Sequence, residues 1–251
     1  MPDSSPTNGL RIAMWSGPRN ISTALLRSWG NRPDTFVCDE PLYAHYLKTT
    51  GAVHPGAEEV IAAQENDWRK VTDWLTGPIP HGKAIFYQKH MTHHMLPEIE
   101  WGWLRKLTNC FLIRDPREVL TSYLNIKGVA KPTLLDLGFP QQLEIFDMVC
   151  ETTGAAPPVI DSRDVLEDPR GVLSALCDRL GIPFTEAMLS WPPGKRDTDG
   201  VWAKHWYAAV DKSIGFQPYK PKPDQVPEAL LPLYESCLPY YERLHRERIR
   251  V

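Results

Sequence analysis

Residues 10–30 read LRIAMWSGPRNISTALLRSWG, and this stretch narrows the folds open to the chain more than any other. Leu10 to Trp15 is a short apolar run of strand length. Ser16-Gly17-Pro18 is turn chemistry, and Leu25, Leu26 and Trp29 then recur at helical spacing, with Ser22 and Thr23 in place to cap the helix. A strand, a tight turn and a helix start gather free backbone N–H groups and the positive end of a helix dipole at one point. Such a point suits a phosphate or sulfate, and Arg19 supplies a full charge beside it. The same residues also describe an ordinary corner of an α/β sheet.

Further along, the pattern repeats. Residues 35–40 (TFVCDE), 83–89 (KAIFYQK), 109–114 (NCFLIR) and 157–161 (PPVID) read as strands two to five, the fourth apolar enough to be covered on both faces. Helices are expected at 58–76, where Ile61, Gln64, Trp68, Val71 and Leu75 keep the 3.6-residue period up to Gly77-Pro78, and over 98–107. Others are expected at 116–127 behind the cap Asp115-Pro116, at 140–153, and from Asp168-Pro169 to Gly181. Strands alternating with helices imply an α/β three-layer sandwich with a mainly parallel central sheet of about five strands. Residues 1–251 are read as one domain. Within it, 191–224, with five prolines and three glycines, forms a long ordered loop or lid, and 227–250 a C-terminal helix.

Composition excludes several classes. The net charge of −3 gives no overall field for nucleic acid or an anionic membrane, and no run approaches the roughly 18 apolar residues of a membrane helix. The N-terminus lacks the basic and apolar segments of a signal peptide. Cys38, Cys110, Cys150, Cys177 and Cys237 are odd in number, widely spaced and without a C-x-x-C pair, which speaks against a disulfide framework or a zinc site. A cytoplasmic protein is expected.

In parallel sheets ligands sit at the carboxyl ends of the strands. That rule collects Ser16–Thr23, Asp39-Glu40, Lys89-His90 and Arg114 along one edge. Arg19, Lys89 and Arg114 arrive from three different strand ends, and gathered cations favour a small polyanionic ligand. The ATP-binding pattern G-x-x-x-x-G-K-[ST] is absent: from Gly17 the chain reads GPRNIST. His90, His93 and His94 have no carboxylate or Cys at metal-ligand spacing, so no metal is expected.

Two of these segments resemble the P-loop sulfotransferases that use 3′-phosphoadenosine 5′-phosphosulfate (PAPS). Pro18-Arg19-Asn20-Ile21-Ser22-Thr23 falls where that family has Pro-Lys-x-Gly-Thr-[Thr/Ser], the loop that cradles the 5′-phosphosulfate. Cys110-Phe111-Leu112-Ile113-Arg114-Asp115-Pro116-Arg117-Glu118, followed by Ser122, is similar to the strand, Arg, Asp/Asn-Pro-x-[Asp/Glu] and Ser that bind the 3′-phosphate. The resemblance implies a nucleotide-kinase-like sheet and a donor site made by Gly17, Pro18, Arg19, Asn20, Ile21, Ser22, Thr23, Arg114 and Ser122, with Lys204 closing over the nucleotide. It implies Glu40, in Asp39-Glu40-Pro41-Leu42-Tyr43, as the acceptor's base, and Lys89 as donor to the leaving phosphate oxygen. In other members the base is a His, which leaves His90, His93 and His94 as alternatives. Arg19 in place of Lys can hold an anion but does not give up a proton, and Ile21 in place of Gly constrains the wrap of the loop.

The function expected is transfer of a sulfuryl group from PAPS to a small hydroxylated or amine acceptor. Glu40 takes the proton while Arg19, Lys89 and loop N–H groups stabilise the developing charge. An ATP-dependent small-molecule kinase, with Asp39 or Glu40 on magnesium, and a non-catalytic nucleotide-binding module are the alternatives. Trp202, Trp206 and Tyr207 are candidates to line an acceptor pocket, or to pack over the sheet edge. The sequence names neither the acceptor nor the oligomeric state.

Overall fold

The apolar runs form a single sheet in the computed structural model, which describes residues 9–124, 131–221 and 225–251. Its strands are β1 (Leu10–Ser16), β2 (Thr35–Asp39), β3 (Ile85–Met91), β4 (Thr108–Ile113) and β5 (Val159–Asp161), in the order β2-β3-β1-β4-β5. Every neighbouring pair is parallel. The chain steps outward from β1 to one side, then returns to build the other, so its topological switch lies at the carboxyl end of β1. Register levels that edge: Ser16 lies beside Met91 and Leu112, and Asp39 beside Lys89.

Alternation along β1 sends Ala13 and Trp15 to one face and Ile12 and Met14 to the other. Trp15 packs with Phe86, Phe111, Ile145 and Phe146 beneath helix α7. Met14 packs with Leu25, Trp29, Leu112 and Leu176 beneath helices α1 and α9. The ranges of these helices are α1 (Ser22–Gly30), α7 (Phe139–Thr153) and α9 (Pro169–Arg179). Each large apolar side chain so enclosed contributes about 1.5–3 kcal/mol. The three-layer α/β arrangement expected from the sequence is the one observed.

Several boundaries differ from expectation. The helix expected at 58–76 is two, α3 (Ala57–Ala63) and α4 (Trp68–Thr76), because Asp67 begins a new helix by accepting the Arg69 N–H. Residues 98–107 yield only a 3-10 turn, Gly102–Lys106, with Gly102 weakening helix formation. Trp68 and Trp103 are buried, whereas Trp74 is 43% exposed. Ser22 and Thr23 do not cap α1: the position before the helix is Ile21, with a left-handed backbone and no side-chain cap.

Helix α5 covers Pro116–Leu124; the remainder of the stretch expected to 127 lies outside the described residues. Short helices α2 (Tyr43–Thr50), α6 (Leu134–Leu137) and α8 (Ser162–Glu167) were not anticipated. The proline-rich segment, of which 222–224 lie outside the described residues, carries α10 (Ala203–Trp206). The tail is a 3-10 turn at Glu228–Leu230 followed by α11 (Leu231–Arg246).

Candidate active site

Between β1 and α1 the chain makes a tight bend at the switch point. Gly17 is required there: a Cβ would lie 2.6 Å from the Leu137 carbonyl oxygen. Arg19 and Ile21 both take left-handed backbone conformations, with φ of 66° and 59°. For non-glycine residues this costs roughly 1–2 kcal/mol each, more readily for Arg than for β-branched Ile. Such strain persists only where the surroundings over-determine it. Here Asn20, buried beneath the bend, donates from Nδ2 to the Leu112 carbonyl at 3.3 Å, and Ser162 Oγ lies 3.0 Å from the Asn20 carbonyl. The first N–H groups of α1 have no side-chain cap, which leaves a donor row at a helix start.

Opposite that loop stands the end of β4. Arg114 Nη1 donates to the Arg19 carbonyl at 2.6 Å, while its Nε donates to Glu118 Oε2 at 2.9 Å. Arg19 in turn donates from Nε to Ser122 Oγ at 2.9 Å. Two sequence segments almost a hundred residues apart thus meet, with Arg19 bonded to both Arg114 and Ser122. Glu118 Oε1 accepts from Tyr219 at 2.6 Å, so the late segment also closes on this corner.

A second cluster forms at the ends of β2 and β3. Lys89 is 1% exposed, and its ammonium donates to Asp39 Oδ1 (2.8 Å), Glu40 Oε1 (2.7 Å) and Tyr207 Oη (2.8 Å). These three bonds use the whole donor capacity of the group. Tyr207 donates its own proton to Asp39 Oδ2 at 2.5 Å and accepts from Trp202 Nε1 at 3.3 Å. Glu40 has a left-handed backbone, φ 45°. Burial raises the Glu40 carboxyl above its ordinary range; Lys89 opposes this and the Asp39 charge adds to it. Burial works against the Lys89 ammonium, but Asp39, Glu40 and Tyr207 outweigh it and hold its pKa well above the usual value.

The three histidines sit beside this cluster as neutral rings. His90 stacks on Trp15 at 4.4 Å, and burial pushes its pKa down to about 3. His93 falls to about 4, first through burial and then through His54; burial also carries His94 well below its ordinary value. His94 lies between Tyr43 (4.9 Å) and Tyr46 (4.8 Å). Among the described residues no group of three His, Cys, Asp or Glu is arranged to hold a metal ion.

Lys204 is on α10 with its ammonium paired to Glu59 of α3. Trp202 and Tyr207 are buried and pack on Tyr43 and Tyr46. One side chain that the sequence did not single out anchors the whole segment. Arg27, 3% exposed on α1, pairs with both Asp199 and Asp211, which bracket Trp202 and Tyr207. Nothing in the spacing of Arg27 and two distant aspartates signals that contact.

Five parallel strands in this order, with a strained loop and a helix start at the switch point, define an α/β protein of the P-loop type. The chain belongs to the sulfotransferase-domain family, whose match runs over residues 10–248. Among solved structures it is similar to a sulfotransferase from Alicyclobacillus acidocaldarius (TM-score 0.56, 12% identity, 96% of this chain and 97% of that one). It is also similar to the sulfotransferase domain of the Synechococcus PCC 7002 olefin synthase (TM-score 0.53, 19% identity, 94% and 96% covered). A curated relative in Arabidopsis thaliana, named branched-chain-amino-acid aminotransferase-like protein 1, is 38% identical over 234 residues, covering 93% of this chain. The chain spans about two fifths (41%) of that relative's length. All five cysteines are free, and among the described residues no helix is long and apolar enough to cross a membrane.

Proposed function

We propose that the chain transfers a sulfuryl group from PAPS to a small hydroxylated or amine acceptor. What supports this reading is the direct contact of the residue 17–23 loop with Arg114 and Ser122. A donor with phosphates at both ends of its ribose needs two anion sites within one nucleotide's reach, and these contacts join the two segments that would make them. The donor's phosphosulfate would be held by the loop amides and Arg19, and its 3′-phosphate by Arg114 and Ser122. Lys204 would approach the nucleotide only by leaving Glu59.

Glu40 is the proposed base. Of the paired carboxylates it is the more accessible, at 13% side-chain exposure against 1% for Asp39. Burial weakens its hydration and so raises its proton affinity, which favours taking a proton as the acceptor oxygen or nitrogen attacks sulfur. With its three donors engaged, Lys89 first orients Glu40 and reaches a leaving oxygen only by releasing a carboxylate. Positioning and fixed dipoles would supply most of the rate.

The test is calorimetry with 3′-phosphoadenosine 5′-phosphate, followed by a screen of hydroxyl and amine acceptors with radiolabelled PAPS. Binding of the bisphosphate together with acceptor-dependent product formation is expected. Absence of bisphosphate binding, with ADP and magnesium binding in its place, would replace this reading with a kinase. Tight binding without turnover on any acceptor would leave a binding module.

A further inference from the structure

One buried phenol stands at the centre of the Glu40 cluster without a role in the chemistry above. Tyr207 is 4% exposed, and its hydroxyl is fully used: it donates to Asp39 Oδ2 and accepts from Lys89 and Trp202. The chain delivers it there by a strap, residues 199–211. Both ends of that strap are tied to one guanidinium, Arg27, and its middle is pinned by this hydroxyl. So much anchorage on one side chain is out of proportion to closing an edge of the sheet.

The hydroxyl makes two neighbouring carboxylates unequal. Asp39 receives two strong donors, Lys89 on one oxygen and Tyr207 on the other; Glu40 receives Lys89 on Oε1 alone. Two buried carboxylates beside one ammonium carry one negative charge too many, and the proton goes to the less satisfied of the two. Without Tyr207 the distinction would be lost, because Asp39 and Glu40 would each be left with Lys89 as the one side-chain donor.

We propose that Tyr207 is a positioning residue for Glu40: by holding Asp39 it leaves Glu40 as the carboxylate of the pair that takes the acceptor's proton. This rests on Glu40 being the base. The charged and titratable groups facing Glu40 are Asp39 on β2, Lys89 on β3, Tyr43 on α2, Tyr123 on α5 and Tyr207 on the strap. Of these, Tyr207 alone touches both Lys89 and Asp39.

The experiment is a carbon-13 carboxyl titration of the full, ligand-free chain labelled in glutamate, with the Glu40 signal assigned by its loss in Glu40→Gln. In Tyr207→Phe the Glu40 midpoint is expected to fall by about half a pH unit or more, the scale of one lost hydrogen bond, because the proton is then shared between the two carboxylates. A ring-fluorinated tyrosine at position 207 keeps the packing and donates more strongly to Asp39, so there the midpoint should rise. This second variant decides the matter should Tyr207→Phe not fold. A Glu40 midpoint that moves in neither variant overturns the role of Tyr207 and leaves the donor site untouched. Failure of the bisphosphate to bind removes the proposed donor and leaves this titration standing.

Discussion

Arg114 donates to the main-chain carbonyl of Arg19 at 2.6 Å, so the end of the fourth strand holds the first loop in its left-handed bend. This contact ties the two anion-binding candidates into one rigid body. The guanidinium does it while still paired to Glu118, a two-way grip that needs the planar fork of arginine.

Arg114→Lys should therefore behave as a loss. An ammonium keeps the charge but cannot span Glu118 and the Arg19 carbonyl together. A charged hydrogen bond is worth about 1.5–3 kcal/mol. Affinity for 3′-phosphoadenosine 5′-phosphate is expected to fall roughly ten- to a hundredfold by calorimetry; unchanged affinity would detach Arg114 from the donor site.

Gly17→Ala tests the loop from the other side. The added Cβ meets the Leu137 carbonyl at 2.6 Å, backbone that cannot swing aside as a side chain would. Overpacking of this kind costs about 1–3 kcal/mol. Urea unfolding should show that loss, accompanied by weaker bisphosphate binding. Full stability would mean the loop is looser than its anchors imply.

Glu40→Gln separates binding from chemistry. The amide keeps the size of the side chain and loses the base. Bisphosphate affinity should stay within about twofold, whereas turnover on any acceptor found by screening should drop by the 10²–10⁴ typical of a lost general base. Retained turnover would move the base elsewhere.

Arg27→Met should loosen the strap. It leaves the Asp199 side chain, 5% exposed, and the Asp211 side chain without their buried cation. Removing one partner of a buried ion pair costs about 3–5 kcal/mol. Limited proteolysis is expected to cut within residues 199–211 in the variant and not in the parent chain. Identical digests would show that the strap is held by its apolar packing alone.

Acid should destabilise the fold from below about pH 6.5. His90 and His93, with folded pKa values of about 3 and about 4, and His94, also depressed, stay neutral in the native state while the unfolded chain takes up their protons. Lowering pH through that window therefore favours unfolding. Asp161, raised to about 6 by burial, and the raised Glu40 act oppositely, since the native state binds their protons first and their penalty is relieved on acidification. With His54 and His245 lowered as well, the depressed histidines outnumber the raised carboxylates, so stability is expected to slope downward as pH falls from about 6.5. Urea midpoints at several pH values measure this slope; a flat profile would contradict the neutral buried rings.

The strands, the sheet type and the strand–turn–helix corner of residues 10–30 were legible in the sequence because each depends on local pattern. A strand that must be buried needs an apolar run, and a loop against a phosphate needs turn residues followed by a helix start; both are written within a few residues. Helix breaks were less legible. Asp67 interrupts a periodic apolar stripe that runs through it unchanged, so periodicity alone joined α3 to α4.

Tertiary structure decided what the chemistry-bearing side chains do with one another. Arg19, Asp39, Glu40, Lys89 and Arg114 could all be named from strand ends, but which cation faces solvent and which is enclosed could not. Lys89 spends its donors inside a buried cluster, and Tyr207 and Arg27 enter the site from more than a hundred residues away in sequence from their partners. Contacts across such separations carry no spacing rule, because they are set by how whole layers pack and by the demand that every buried charge find a partner.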